Sequence, residues 1–230
     1  MKLWKCKQFD VAHHNSSMKV GTDAILLGAW VAKGDYKRIL DVGTGSGIIA
    51  LCVAQRFPEA EVMAIDIHSD SVKEANANFQ RNDWSSRMQA KEVALQSLET
   101  ESFDLIISNP PYFAAKAGSL SPKASRMHAR HNHSLDLTEL LNHASNRLNE
   151  GGKLAIVIPF DAEFETQDSG LVEVERTVVY GKEGKQAERL LLLFEKGAYN
   201  QSHQISELII RKQDHSYSID YIALTKDFYL

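Results

Sequence analysis

The stretch Arg38-Ile39-Leu40-Asp41-Val42-Gly43-Thr44-Gly45-Ser46-Gly47 decides the fold. Its first half is an apolar run of strand length, and glycines follow at once. A helix is expected from about Gly47 to Phe57, with Pro58 stopping it. In an open α/β sheet, ligands bind outside the carboxyl ends of the strands, so this turn is the expected place for a cofactor. The dinucleotide fingerprint needs glycine at its first, third and sixth positions. Counted from Gly43, the sixth position is Ile48, so that fingerprint fails. The pattern is Asp-x-Gly-x-Gly-x-Gly, with an acid just before the loop. A carboxylate there suits a cationic amino group better than a pyrophosphate, which favours S-adenosylmethionine over NAD.

Outward from this turn the chain alternates between strands and helices. Strands are expected at Glu61 to Asp66, near Met88 to Val93, at Phe103 to Ser108 and at Lys153 to Ile158. Helices are expected from about Ser69 to Asn82 and from about Leu135 to Leu148, the latter closed by Gly151-Gly152. The near-continuous apolar strands indicate a mostly parallel sheet covered on both faces. Three further strands, near Leu171 to Tyr180, Arg189 to Glu195 and Glu207 to Arg211, suggest an antiparallel ending.

Asp66 ends the second strand, nineteen residues after Gly47. An acceptor at that place can take both hydroxyl protons of a ribose. Alone it would most often be a helix-capping acid, and alone the glycine turn could be a tight connection. Their order and spacing favour a cofactor.

Asn109-Pro110-Pro111-Tyr112 follows the fourth strand, at the same edge of the sheet. The two prolines fix φ and remove two backbone donors. Their carbonyls have no following ladder to satisfy them, so a ligand is a natural partner. A planar exocyclic amine is a poor nucleophile, because its lone pair is delocalised into the ring. Gripping its two N–H groups with acceptors pulls the nitrogen toward tetrahedral geometry. The Asn109 side-chain oxygen and the Pro110 carbonyl could be those acceptors, with Tyr112 stacked on the base. The bland alternative is a rigid turn with Tyr112 packed in the core.

From Phe113 to Leu135 there is no acid, while Lys116, Lys123, Arg126 and Arg130 stand among three histidines. Such a loop after the corner would accept a phosphate backbone, although a charge run in general is a solvated loop. Arg189 and the N-terminal Lys2, Lys5 and Lys7 are further candidates. The formal net charge of -4 excludes a protein coated in positive charge. His128, His131 and His133 lack an accompanying carboxylate or cysteine, and no metal is expected.

The 230 residues fit one α/β domain, with an ordinary 43% hydrophobic and 24% charged composition. Cys6 and Cys52 fit no metal or redox spacing, and Cys52 reads as a small core residue. The stretch MKLWKCKQFDVAHHNSSM lacks the apolar core of a signal peptide, and no run reaches the length of a membrane span. The expectation is a cytoplasmic protein with no membrane partner. The sequence leaves the oligomeric state open, with a monomer as the default.

The glycine turn and the Asn-Pro-Pro-Tyr corner resemble those of class I S-adenosylmethionine-dependent methyltransferases that modify planar amino nitrogens. Lys19-Val20-Gly21-Thr22-Asp23-Ala24-Ile25-Leu26-Leu27-Gly28-Ala29-Trp30 and the ending Tyr221-Ile222-Ala223-Leu224-Thr225-Lys226-Asp227-Phe228-Tyr229-Leu230 narrow this. They resemble the bacterial tRNA1(Val) (adenine-37-N6)-methyltransferase family.

The resemblance implies an α/β, Rossmann-like fold, with a mostly parallel seven-stranded sheet, an antiparallel C-terminal strand and helices on both faces. It implies one domain over 1–230, in which 1–35 closes over cofactor and substrate and 36–230 forms the core. It implies that Lys19, Thr22 and Asp23 help close over S-adenosylmethionine, and that Asp41, Gly43 and Gly45 border its methionine part. Asp66 and Ile67 would hold its nucleoside, with Asn109 touching both cofactor and substrate. Asn109, Pro110 and Tyr112 would carry the chemistry. Pro111, Phe113, Lys116, Arg126, Arg130 and Arg189 would meet a tRNA. One position departs from the family pattern: Ala94 stands where an aspartate commonly receives the cofactor's adenine amino group, so Glu92 or a backbone carbonyl would substitute.

Other substrates for the same corner are a guanine N2, a DNA adenine, or the glutamine amide of a release factor. Enzymes of the last kind carry a helical domain before the core, for which a first core strand near residue 38 leaves no room. A non-catalytic cofactor-binding module would be marked by a degraded corner, and this one is intact.

Overall fold

The computed structural model describes residues 3–12, 21–31, 34–99, 101–110, 136–166, 169–197 and 202–229. A short antiparallel hairpin, β1 (Leu3–Lys5) with β2 (Asp10–Ala12), precedes helix α1 (Thr22–Trp30). The core then alternates β3 (Arg38–Val42), α2 (Ile48–Arg56), β4 (Glu61–Asp66), α3 (Ser69–Phe79), β5 (Met88–Glu92) and β6 (Phe103–Ser108). Helix α4 (Leu137–Ser145) leads to the long strands β7 (Leu148–Pro159), β8 (Leu171–Lys182) and β9 (Ala187–Lys196), then to β10 (Gln204–Arg211) and α5 (Ile219–Thr225).

Among the described residues, eight strands form one sheet in the order β10-β8-β9-β7-β6-β3-β4-β5. Pairings from β7 through β6, β3 and β4 to β5 are parallel, and β9 runs antiparallel between β7 and β8. The expected mostly parallel sheet with an antiparallel ending is therefore present. The sheet has one strand more than the seven that the resemblance implied; β10, at the expected Glu207 to Arg211 segment, lies parallel to β8 at the far edge. The chain adds β4 and β5 on one side of β3, then returns to place β6 on the other. That reversal makes the β3–β6 boundary the topological switch point, outside which open α/β sheets bind ligands at the carboxyl ends of the strands.

Alternate residues of each strand feed two apolar layers. Ile39, Val62, Ala64, Leu105, Ile107 and Val157 pack with α1 and α2 on one face. Leu40, Ile65, Ile106, Leu154, Ile156 and Leu192 pack with α4 on the other. Helix α2 is buried from Ile48 through Ala54, Cys52 included. A fully buried side chain such as Leu51 contributes roughly 1.5–3 kcal/mol relative to exposure.

One local expectation needs correction. Gly151-Gly152 do not close the helix before them. Helix α4 ends at Ser145, and the glycines lie inside β7. There they form an irregularity between the Phe103–Leu148 and Leu105–Lys153 pairings. A Cβ on Gly152 would meet the Asn149 carbonyl at 2.8 Å and the Phe103 carbonyl at 3.1 Å, so the close backbone approach at this bulge requires glycine. Helix α1 is capped by Gly21 in extended conformation, with no side-chain cap bond. Among the described residues, no helix is long and apolar enough to cross a membrane.

Candidate active site

The site begins with a register. Val42 pairs with Ser108 across β3 and β6, and the Ser108 Oγ donates to the Val42 carbonyl at 2.8 Å. Gly43 and Asn109 therefore leave neighbouring strands side by side, at the switch point. On the other side Val42 pairs with Ile65, and Asp66 follows one residue later. Three loops thus converge at one edge because three strands end in register.

The glycine turn is held from beneath. The N–H groups of Gly43 and Thr44 both donate to the Ile65 carbonyl, at 2.9 and 3.0 Å. The Gly45 N–H donates to Asp66 Oδ2 at 3.0 Å, and the His68 N–H donates to Asp66 Oδ1 at 2.9 Å. Each carboxylate oxygen can accept more than one bond, so Asp66 keeps acceptor capacity for a diol. Ile67, next to it, is 40% exposed although large and apolar.

Gly43 and Gly45 have φ of 72° and 55°, a left-handed backbone that disfavours side chains. A Cβ on either would meet nothing within 4 Å among the described residues. These two glycines thus present bare backbone outward from the fold.

Asp41 sits at the base of the turn with no exposure. Its Oδ2 accepts from the Thr44 Oγ1 at 2.6 Å and the Ala50 N–H at 3.1 Å. Its Oδ1 is buried with no hydrogen-bond partner. Burial pushes the carboxyl up to about 7, against the opposing pull of those two bonds. A bound cation or N–H donor would satisfy the orphaned oxygen. An unmatched acid, bare glycine backbone and Asp66 together fit a ligand carrying an ammonium and a ribose.

Arg189 stands opposite Pro159, at the carboxyl end of β7, and so on the same edge of the sheet. Its Nε donates to Asp23 Oδ2 at 2.9 Å, drawing the first turn of α1 to that edge. The sequence reading placed Asp23 with the cofactor and Arg189 with the substrate; the fold joins them as an ion pair. Thr22, beside Asp23, is exposed. Asn109 and Pro110 are half-buried. Lys19, Pro111, Tyr112, Phe113, Lys116, Arg126 and Arg130 lie outside the described residues.

Glu92 ends β5 opposite Asp66 and is exposed, while Ala94 starts a short 3-10 turn, Leu95–Ser97. Thr44 and Ser108 are supporting residues that the sequence reading quoted without a role. Their small hydroxyls beside the turn and the corner were the available signal. Among the described residues, no group of His, Cys, Asp or Glu is arranged to hold a metal.

The model of the methyltransferase small domain family matches residues 15–179. A Pasteurella multocida tRNA1(Val) (adenine(37)-N6)-methyltransferase is 41% identical over 231 residues, covering 97% of this chain and 95% of that protein. The chain belongs to that family. A Bacteroides fragilis member is 39% identical, with 99% of this chain and 98% of the relative covered. An Aeromonas hydrophila member is 40% identical, with 97% and 95% covered.

Solved structures agree on the fold. A predicted O-methyltransferase of Agrobacterium tumefaciens superposes with a TM-score of 0.68 at 21% identity, over 90% of this chain and 96% of its own. The Thermus thermophilus 16S rRNA N2 G1207 methyltransferase, solved with S-adenosylmethionine and guanosine, gives 0.56 at 21% identity. That match spans 85% of this chain and 51% of the other.

Proposed function

We propose that this chain transfers a methyl group from S-adenosylmethionine to the N6 amine of an adenine in tRNA, at position 37 of tRNA1(Val) as in the family's name. The observation that carries this reading is the Val42–Ser108 register, which sets the Asn109-Pro110 corner against the glycine turn. Asp41, Gly43 and Gly45 would hold the methionine part, Asp66 and Ile67 the nucleoside, and Lys19, Thr22 and Asp23 would flank them. Bound there, S-adenosylmethionine supplies an electrophilic methyl on a sulfonium sulfur.

The chain's own contribution is to orient and activate the amine. The Asn109 side-chain oxygen and the Pro110 carbonyl accept its two N–H bonds and draw the nitrogen toward a tetrahedral shape. Tyr112 stacks on the base and sets the line of attack. No strong general base is needed, because the amine becomes acidic only after it attacks. Pro111, Phe113, Lys116, Arg126, Arg130 and Arg189 would receive the RNA, whose target base must be splayed from its stack to reach the corner. In this reading residues 1–230 work as one domain, with 1–35 closing over the core, in the cytoplasm where tRNA is modified.

Asn109→Ala tests the reading. It should abolish turnover, by at least about a thousandfold, while S-adenosylhomocysteine binding stays within about threefold. Wild-type turnover in that variant would remove Asn109 from the mechanism.

A further inference from the structure

Asn78 is fully buried in the last turn of α3, and its amide is saturated by elements far apart in sequence. Its Oδ1 accepts from the Ala12 N–H at 2.9 Å, and its Nδ2 donates back to the Ala12 carbonyl at 2.8 Å. The side chain thus pairs with Ala12 as a neighbouring strand would. The same Nδ2 donates to the Ser46 carbonyl at 2.8 Å, inside the glycine turn. Arg81 Nη1 donates to Oδ1 at 2.7 Å, which fixes the amide with its oxygen toward Ala12 N–H and its nitrogen toward the two carbonyls.

Other restraints on the turn come from backbone, from Asp41 and from Asp66: the Gly43 and Thr44 N–H groups to Ile65, the Thr44 hydroxyl to Asp41, Gly45 to Asp66, and Gly47 to Thr44. The Ser46 carbonyl points the other way, to Asn78. Helix α3 also presses closely here, since a Cβ on Gly47 would meet the Phe79 ring at 2.6 Å. A different pair of bonds is made two residues earlier. Asn76 donates to the Ala90 carbonyl and accepts from the Ala90 N–H, both at 2.9 Å, tying α3 to β5 and not to the turn.

We infer that Asn78 is a positioning residue for the cofactor: it sets the glycine turn through the Ser46 carbonyl and locks the end of the N-terminal hairpin to it through Ala12. This rests on the reading of the turn as the S-adenosylmethionine site. Without the amide, Ser46 and Ala12 lose a shared anchor, and the peptides around Gly45 are free to rotate away from the ligand-binding arrangement.

The test compares Asn78→Ala with Asn76→Ala, each of which removes an amide that bridges α3 to a backbone segment. Calorimetric binding of S-adenosylhomocysteine, steady-state kinetics and thermal melts are measured on the full chain. Asn78→Ala should weaken S-adenosylhomocysteine binding and raise the KM for S-adenosylmethionine by roughly tenfold, the loss of about one buried hydrogen bond, with kcat at saturation within about threefold. Asn76→Ala should lower the melting temperature comparably and leave cofactor binding within about twofold. Asn78→Asp keeps both acceptor roles but lacks the amide donor, and should weaken binding like Asn78→Ala.

Wild-type cofactor affinity in a folded Asn78 variant would overturn the inference. So would equal weakening in Asn76→Ala, or failure of both Asn78 variants to fold, which would make the residue structural. If the wild-type chain itself does not bind S-adenosylhomocysteine, the reading of the site fails instead.

Discussion

Ser108 Oγ donates to the carbonyl of Val42 at 2.8 Å, joining the last residue of the strand before Asn109 to the last residue of the strand before the glycine turn. The bond spans two strands that β4 and β5 separate in sequence. It fixes the spacing between the two halves of the proposed site, where a small misplacement of reacting groups is expensive. Ser108→Ala should cost about 1 kcal/mol of stability by urea denaturation. It should lower kcat roughly tenfold, with S-adenosylhomocysteine affinity little changed. An unchanged kcat would show that strand pairing alone sets the spacing.

Asp41 predicts a pH dependence. Its carboxyl is raised from an ordinary 3.8 to about 7 in the fold. Between about pH 4 and pH 7 the folded chain keeps a proton that the unfolded chain has released, so stability falls as pH rises through that window. Asp41→Asn should flatten this dependence in denaturant melts of the ligand-free protein. Binding of S-adenosylmethionine, whose ammonium would pair with the ionised acid, should tighten from pH 6 to pH 8 in the wild type and not in the variant. A flat wild-type profile would contradict the assignment.

Asp66 serves the turn and, in this account, the ribose. Asp66→Ala should weaken S-adenosylhomocysteine binding by one to two orders of magnitude, roughly the loss of one or two charge-assisted hydrogen bonds. Asp66→Asn, which keeps one oxygen, should lose less. Equal affinity in wild type and Asp66→Ala would exclude Asp66 from the cofactor site.

Asp23 and Arg189 are about three-quarters buried at their side chains and directly bonded. A double-mutant cycle on stability should give a coupling of about 0.5–1 kcal/mol, kept small by the remaining solvent. If Arg189 also meets RNA, Arg189→Ala should raise the KM for tRNA several-fold more than Asp23→Ala does. Equal KM values would confine Arg189 to holding α1 in place.

Much of this was legible in the sequence, for physical reasons that differ by segment. The strands Glu61–Asp66 and Phe103–Ser108 were read at their observed bounds, because buried parallel strands are apolar throughout and end in turn residues. Gly151-Gly152 misled, since glycine after a helix usually ends it, whereas here a strand needs close approach to Phe103. The β1–β2 hairpin and α5 were missed, being too short for a clear period. At the candidate site, Asp66 was singled out by its place at a strand end and Asp41 by standing just before the glycine turn. Asn78 did not: a polar residue late in a polar helix reads as solvent-facing until the fold buries it against Ala12 and Ser46.

The central claim is that the corner beside the glycine turn methylates an adenine amine of tRNA. Its most direct test is incubation of the chain with methyl-labelled S-adenosylmethionine and unmodified tRNA1(Val), followed by nucleoside analysis and mapping of the labelled position. The account predicts N6-methyladenosine at position 37, lost in Asn109→Ala. Label on a guanine or on a release factor, or no transfer at all, would contradict it.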